Sequence, residues 1–161
     1  METGSITQYY EKDHDRLDQL FKEFQRLKSV NFSKAKENFR EFTLGLKRHI
    51  VWEEAILFPL FEDKTGMKGV GPTAVMRLEH RQIKELLEAI HDKIRQQDAG
   101  SGAEETKLLD VLRAHNQKEE QILYPAIDRL LGDEDRQGVF DRMKQVAEDT
   151  FFSCCPDKNS T

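Results

Sequence analysis

The pattern H-x3-E-E-x-I-L-(aromatic)-P occurs twice in this chain, from His49 through Pro59 and from His115 through Pro125. In a helix, residues i and i+4 stand one turn apart on the same face. His49 is thereby paired with Glu53, and His115 with Glu119, each pair presenting an imidazole and a carboxylate in one direction. Mixed nitrogen and oxygen donors of this kind suit iron or manganese. A chain with two such pairs has to bring polar groups into its helix seams, and that constrains its core more than any other feature.

The rest of the composition agrees with helices. Charged residues make up 34% and hydrophobic residues 37%, with only nine Gly and four Pro, so there is ample material for amphipathic helices and little for the turns of a many-stranded sheet. The expected class is all-α. At 161 residues one domain suffices, placed at 1–150, with 151–161 as a polar tail. The net charge of −5 comes without a block of Lys and Arg, which argues against nucleic acid or an anionic membrane as partner. No apolar run approaches the roughly 18 residues of a membrane span, and Met1 to Thr7 carries no basic and apolar leader, so a cytoplasmic protein is expected. Cys154 and Cys155 are adjacent in the tail, where a mutual disulfide would be strained. They are expected to have no structural role.

Helical stripes divide the chain into four long segments. Helix A, about 6–29, is capped by Ser5 and carries Tyr10, His14, Leu17, Phe21, Phe24 and Leu27. Helix B, capped by Ser33, aligns Phe39, Phe42, Leu46, His49, Glu53, Ile56 and Leu60. Pro59 should bias Phe58 away from the helical region, and Gly66, Gly69 and Gly71 mark a loop. Helix C starts at Pro72 and aligns Met76, His80, Ile83, Leu87, Ile90 and Ile94. Helix D aligns Leu108, Leu112, His115, Glu119, Ile122 and Ala126 and stops near Gly132. A fifth helix, 134–150, offers Val139, Phe140, Met143, Val146 and Ala147 as a cover.

Short connections favour an up-down-up-down bundle. His14 then lies about fifteen residues before the A–B turn and His49 about sixteen after Ser33, which at about 1.5 Å per residue sets them at one height. The same reckoning brings His80 to that layer, and His115 joins it by a looser match, about twelve residues against fifteen, set by where helix C stops, with Glu53 and Glu119 one turn further along. Burying two carboxylates in a seam without partners would cost several kcal/mol in a domain stable by only about 5–15 kcal/mol. Two metal ions remove that cost, since six donors at two heights exceed what one zinc takes. Glu54 and Glu120 lie one residue beyond the inward positions and are read as outer support or solvated groups, with Glu120 replacing Glu119 if helix D is rotated. His91, eleven residues past His80 and so some 16 Å along its helix, is expected to flank the centre without joining it.

These residues resemble the hemerythrin-like (HHE cation-binding) family over roughly 5–131: His14 in Asp-His-Asp-Arg-Leu, the His49 and Glu53 pair, His80 in Glu-His-Arg-Gln-Ile, and the His115 and Glu119 pair. The resemblance implies an oxo- or hydroxo-bridged pair of iron ions in a four-helix bundle, with Glu53 and Glu119 as bridging carboxylates. It departs from the oxygen carriers on helix C, where they have a second histidine four residues after the first and this chain has Lys84. The oxygen carriers also place their last carboxylate five residues after the helix D histidine. Four His and two Glu are similar to the iron–sulfur cluster repair and regulatory members. Two six-coordinate irons offer twelve positions; four imidazoles, two bridging carboxylates and a bridging oxygen leave about one vacancy on each. Lys84 cannot ligate as a cation. It either reaches solvent or acts catalytically by donating a hydrogen bond to bound peroxide or nitrosyl.

The expected function is a non-haem di-iron protein that binds or reduces O2, NO or peroxide in a stress-response or iron-handling role. The alternatives are a reversible O2 carrier or a gas or iron sensor, and an iron storage or donor protein. No protein partner is indicated.

Overall fold

The computed structural model describes residues 4–148 and Thr150. Helix α1, Ile6–Leu27, is capped by Ser5 as expected, and the cap is a full capping box: the Ser5 Oγ accepts from the Gln8 N–H at 3.1 Å and the Gln8 side chain accepts from the Ser5 N–H at 3.2 Å. Asp128 adds a second clamp from the far end of the chain. It accepts from the N–H groups of Ile6 and Thr7 at 2.8 and 3.0 Å and from the Thr7 hydroxyl at 2.6 Å. Three free donors at the helix start are thus satisfied by one carboxylate.

Helix α2, Phe32–Trp52, is capped by Asn31 and not by the expected Ser33. The Asn31 N–H bonds back to the Leu27 carbonyl at 2.7 Å, which holds Asn31 extended and aims its Oδ1 at the Lys34 N–H, 3.2 Å away. Beyond Trp52 the rod widens into a π turn, Glu53–Leu57, and continues as α3, Phe58–Thr65. Pro59 therefore does not end the helix as expected; Phe58 keeps helical angles of φ −65° and ψ −44°. Within the wide turn the Phe58 N–H reaches back five residues to the Glu53 carbonyl. Pro59 has no N–H to offer the next carbonyl in that pattern, Glu54, and the Arg77 side chain donates to it instead at 3.4 Å. Gly66, at φ +75°, closes α3 in the left-handed conformation that glycine adopts freely.

The second half repeats this build. Helix α4, Pro72–Arg95, is followed by α5, Gly102–Lys118, a π turn at Glu119–Leu123, and α6, Tyr124–Leu130. Each π turn adds one residue to the rod and rotates the downstream helix by about 100°. That rotation corrects the expected stripes: Leu57, Phe58 and Phe61 are buried where Leu60 was expected, and Leu123, Tyr124 and Ile127 are buried while Ile122 is 60% exposed and Ala126 half-buried. Helix α7, Asp133–Lys144, stops short of the expected 134–150; Val139, Phe140 and Met143 are buried, Val146 partly, and Ala147 is exposed.

Helices α1 and α2 form one antiparallel pair and α4 and α5 the other, giving an all-α up-down-up-down bundle. No strand occurs among the described residues, and no helix among them is long and apolar enough to cross a membrane. Its core is in two parts. One apolar cluster contains Leu17, Phe21, Phe24, Phe39, Phe42, Leu46, Ile83, Leu87 and Leu108. The other, sealed by α7, contains Tyr10, Trp52, Phe58, Met76, Leu123, Tyr124 and Phe140. Between them lies a layer of buried imidazoles and carboxylates. Cys154 and Cys155 fall outside the described residues.

Candidate metal centre

His14, His49, Glu53, His80, His115 and Glu119 meet in that layer, and none is more than 6% exposed. Glu119 Oε1 stands 3.3 Å from His14 Nε2 and 3.2 Å from His115 Nε2. Glu53 Oε1 stands 3.3 Å from His80 Nε2 and 3.5 Å from His49 Nε2. The donor atoms fall into two groups small enough to enclose an ion: Glu53, His80, His115 and Glu119 in one, and His14, His49 and Glu119 in the other. Glu119 belongs to both. The inward residue on the second rod is thus Glu119, and Glu120 is turned outward.

Each of the four cage histidines is oriented from behind by a carboxylate. His49 Nδ1 is 2.8 Å from Asp13 Oδ2, and His115 Nδ1 is 3.0 Å from Glu79 Oε1. His80 Nδ1 is 3.2 Å from Glu54 Oε1, and His14 Nδ1 is 3.2 Å from Glu120 Oε1. A carboxylate behind Nδ1 holds each ring with Nε2 facing inward, the orientation that metal-binding histidines require. Glu54 and Glu120, the second glutamates of the repeated motif, thus support histidines on neighbouring helices. Asp13 and Glu79 were not singled out from the sequence, although each immediately precedes a cage histidine.

The site has an internal two-fold character. Asp13, His14, His49, Glu53, Glu54 and Phe58 each have a counterpart sixty-six positions later: Glu79, His80, His115, Glu119, Glu120 and Tyr124. The two π turns occupy equivalent places and swing the aromatic of each motif toward the cage. Phe58 stacks on His80 with centroids 5.8 Å apart and planes at 10°. Tyr124 lies 5.9 Å from the His14 ring, and its hydroxyl donates to Glu53 Oε2 at 2.8 Å and is 3.2 Å from His49 Nε2. Sequence reasoning missed this phenol. The signal was present in the aromatic position of the motif, where the second copy carries the hydroxyl that the first lacks.

Charge in the layer is strongly coupled. Burial depresses the His14 imidazole, but Glu119 and then Glu53 more than reverse this and raise it to about 9. His80 is likewise depressed by burial and lifted to about 9 by Glu53, Glu54 and Glu119. Burial and the Glu119 charge push the Glu53 carboxyl above the usual range; Glu119, despite its burial, is held well below it by His115 and its other partners. Burial, with Glu119 and Glu53, drives the Tyr124 phenol well above its ordinary value. Four buried atoms of this layer nevertheless lack a hydrogen bond of proper geometry: Glu53 Oε1, His80 Nε2 and both Glu119 oxygens. Imidazole nitrogens and carboxylate oxygens crowded inward without well-formed hydrogen bonds are what a cation would satisfy, so the donor set fits a metal pair.

Lys84 lies one turn past His80 on α4, beside this layer, and His91 lies further along the same helix. Both line a separate cavity of about 260 Å3 between α2 and α4, with Thr43, Lys47, Glu85, Leu87 and Glu88. The Lys84 charge helps hold Glu54 below its ordinary pKa, after His80.

The model of the Hemerythrin HHE cation binding domain matches residues 5–127, from the cap of α1 to α6. The chain belongs to that family. It is 30% identical over 143 residues to the iron–sulfur cluster repair protein YtfE of Edwardsiella ictaluri, covering 80% of this chain and 63% of that one. It is 29% identical over 152 residues to a hemerythrin-like protein of Schizosaccharomyces pombe, covering 91% and 72%. The YtfE of an Escherichia coli strain is 28% identical over 135 residues, covering 74% and 61%. The match thus spans about three fifths of the length of the repair proteins. No solved structure matches the chain at a significant level.

Proposed function

We propose that this chain is a cytoplasmic non-haem di-iron protein that binds or reduces O2, NO or peroxide in a stress-response or iron-handling role. The observation that carries the reading is the pair of buried donor groups sharing Glu119, each imidazole oriented by its own carboxylate. His14 and His49 would hold one iron, His80 and His115 the other, with Glu53 and Glu119 between them. Four histidines and two glutamates leave coordination free on both sides, and bound iron would supply redox chemistry toward a small ligand there. The repair activity named for two relatives supports the stress-response setting.

The protein's own groups do the rest. Asp13, Glu54, Glu79 and Glu120 hold the imidazole rings with Nε2 facing inward. Tyr124 places an O–H among His14, His49 and Glu53, where it can donate to a small polar ligand. The apolar clusters on both sides keep bulk water from the layer. Lys84 adds positive charge on the α2–α4 flank and is proposed to act through Glu54 and His80 on what binds at that side.

The test is metal analysis of protein from iron-fed cells, followed by mixing the reduced protein with O2 and with NO. About two irons per chain and conversion by O2 to an oxidised form that argon does not reverse are expected. A single tightly held zinc would sink the metal assignment. Recovery of the reduced spectrum under argon would replace the redox role with reversible O2 carriage.

A further inference from the structure

Aromatic rings are distributed unevenly around the cage. The Tyr124 ring is 5.0 Å from Tyr10, and Tyr10 is 5.0 Å from the His49 ring and 6.0 Å from Tyr9. Trp52 stands alongside, 6.1 Å from Tyr9, 6.4 Å from Tyr10 and 6.5 Å from His49. Tyr9 is 44% exposed, so this row of rings in near van der Waals contact runs from the buried layer to solvent. Sixty-six positions away the counterparts of Tyr9, Tyr10, Trp52 and Tyr124 are Val75, Met76, Lys118 and Phe58. None of those is a phenol or an indole.

The geometry points to a one-electron path from Tyr9 through Tyr10 to Tyr124, serving the His14 and His49 side of the cage alone. It rests on the di-iron reading above. Phenols give up an electron readily only when the proton has an acceptor, and that condition selects the two ends of the row. Tyr124 has Glu53 Oε2 at 2.8 Å and Tyr9 has solvent, whereas the Tyr10 hydroxyl faces only the Met143 sulfur at 3.5 Å. Trp52 is a poor resting place for positive charge, because the Arg48 guanidinium lies 4.7 Å over its ring and its buried Nε1 has no acceptor. Tyr10 and Trp52 therefore bridge, while Tyr124 and Tyr9 hold the missing electron.

The cycle takes a peroxide-oxidised metal pair as oxidant and a small thiol or ascorbate as reductant. Tyr124 passes one electron inward while its proton stays within the hydrogen bond to Glu53 Oε2. An electron from Tyr9 crosses Tyr10 and refills Tyr124, and Tyr9 releases its own proton to water. The donor in solution returns a hydrogen atom to Tyr9. Over the cycle the donor loses a hydrogen atom, the metal pair gains an electron and water gains a proton.

The experiment adds hydrogen peroxide to the iron-loaded protein with a nitroso spin trap, locates adducts by peptide mass spectrometry, and expresses them per iron bound. Adducts on Tyr9 are expected in the parent protein. In Tyr124→Phe they should fall to the level of metal-free protein treated alike, with iron still bound. A Tyr124→Phe, Phe58→Tyr double variant moves the phenol to the side without the aromatic row and should not bring them back. Equal labelling of Tyr9 in Tyr124→Phe, or its return in the double variant, would show that a diffusing oxidant finds an exposed ring and would overturn the path alone. Failure to take up iron would overturn the di-iron reading and the path together.

Discussion

The pair α1 and α2 and the pair α4 and α5 contribute matching polar groups to one layer, yet they surround them differently. Toward His14 and His49 the lining is Tyr10, Tyr124 and Trp52; toward His80 it is Phe58, and the counterpart of Tyr10 is the buried Met76. Two donor groups, each with two imidazoles and the shared Glu119, thus have unlike surroundings. The likeness is in the polar positions, where a change would strand a buried charge, and the unlikeness is in apolar positions, where a ring can change without loss of the layer.

The largest effect should come from the residue both halves share. Glu119→Ala is expected to empty the site of both metals, since it serves both donor groups, while His14→Ala and His80→Ala should each weaken chiefly their own side; elemental analysis and absorption spectra decide this. If Glu120→Ala instead proved the more damaging, the rod would present the next residue. Second in size are the carboxylates behind the imidazoles. Asp13→Asn and Glu79→Gln should each lower metal affinity about 10- to 100-fold, by similar amounts if the halves are equivalent, as chelator competition can measure.

A third prediction concerns protons. In the metal-free protein His14 and His80 are raised from 6.5 to about 9, so the folded state binds protons more tightly than the unfolded chain. That stabilisation is fully present below about pH 6.5 and is lost as pH rises through 9. The melting temperature of the apoprotein should therefore fall across this window, and metal uptake near neutral pH should release protons measurable with an indicator dye. A flat apoprotein profile would mean these imidazoles are neutral. A smaller effect is expected of Tyr124→Phe, which strips Glu53 of its donor and should destabilise the apoprotein by about 1–3 kcal/mol in denaturant melts. Phe58→Leu, with no hydrogen bond to lose, should act through packing alone. The smallest is His91→Ala, expected to leave metal content untouched because His91 lines the cavity between α2 and α4.

Much of this was legible in the chain because polar ligands in an apolar stripe break a strong periodicity. The class, the four rods and the convergence of the six side chains all derive from that break and from rod length. The illegible part depends on hydrogen bonds that cross between helices. Asn31 displaced Ser33 as a cap through a backbone bond to Leu27, and Asp13 and Glu79 face the site only because the neighbouring helix presents an imidazole to each. The π turns escaped notice for a related reason. A proline one residue past the aromatic reads as a stop signal, yet the rod continues through both, and at Pro59 an arginine from another helix serves the spare carbonyl.

Those wide turns also separate two adjustments that a regular helix would tie together. In an unbroken α-helix, moving Phe58 or Tyr124 around the axis would carry Glu53 or Glu119 with it. Here the carboxylate lies at the start of the extra residue's turn and the aromatic just after it, so each can be aimed on its own. Removing one residue from either turn, for instance Ala55 or Gln121, should leave the upstream His and Glu in register while carrying the downstream ring away from the layer. The pattern H-x3-E-E-x-I-L-(aromatic)-P can accordingly be understood as a joint: a fixed imidazole and carboxylate pair on one side, and on the other an interchangeable wall that a single inserted residue turned inward.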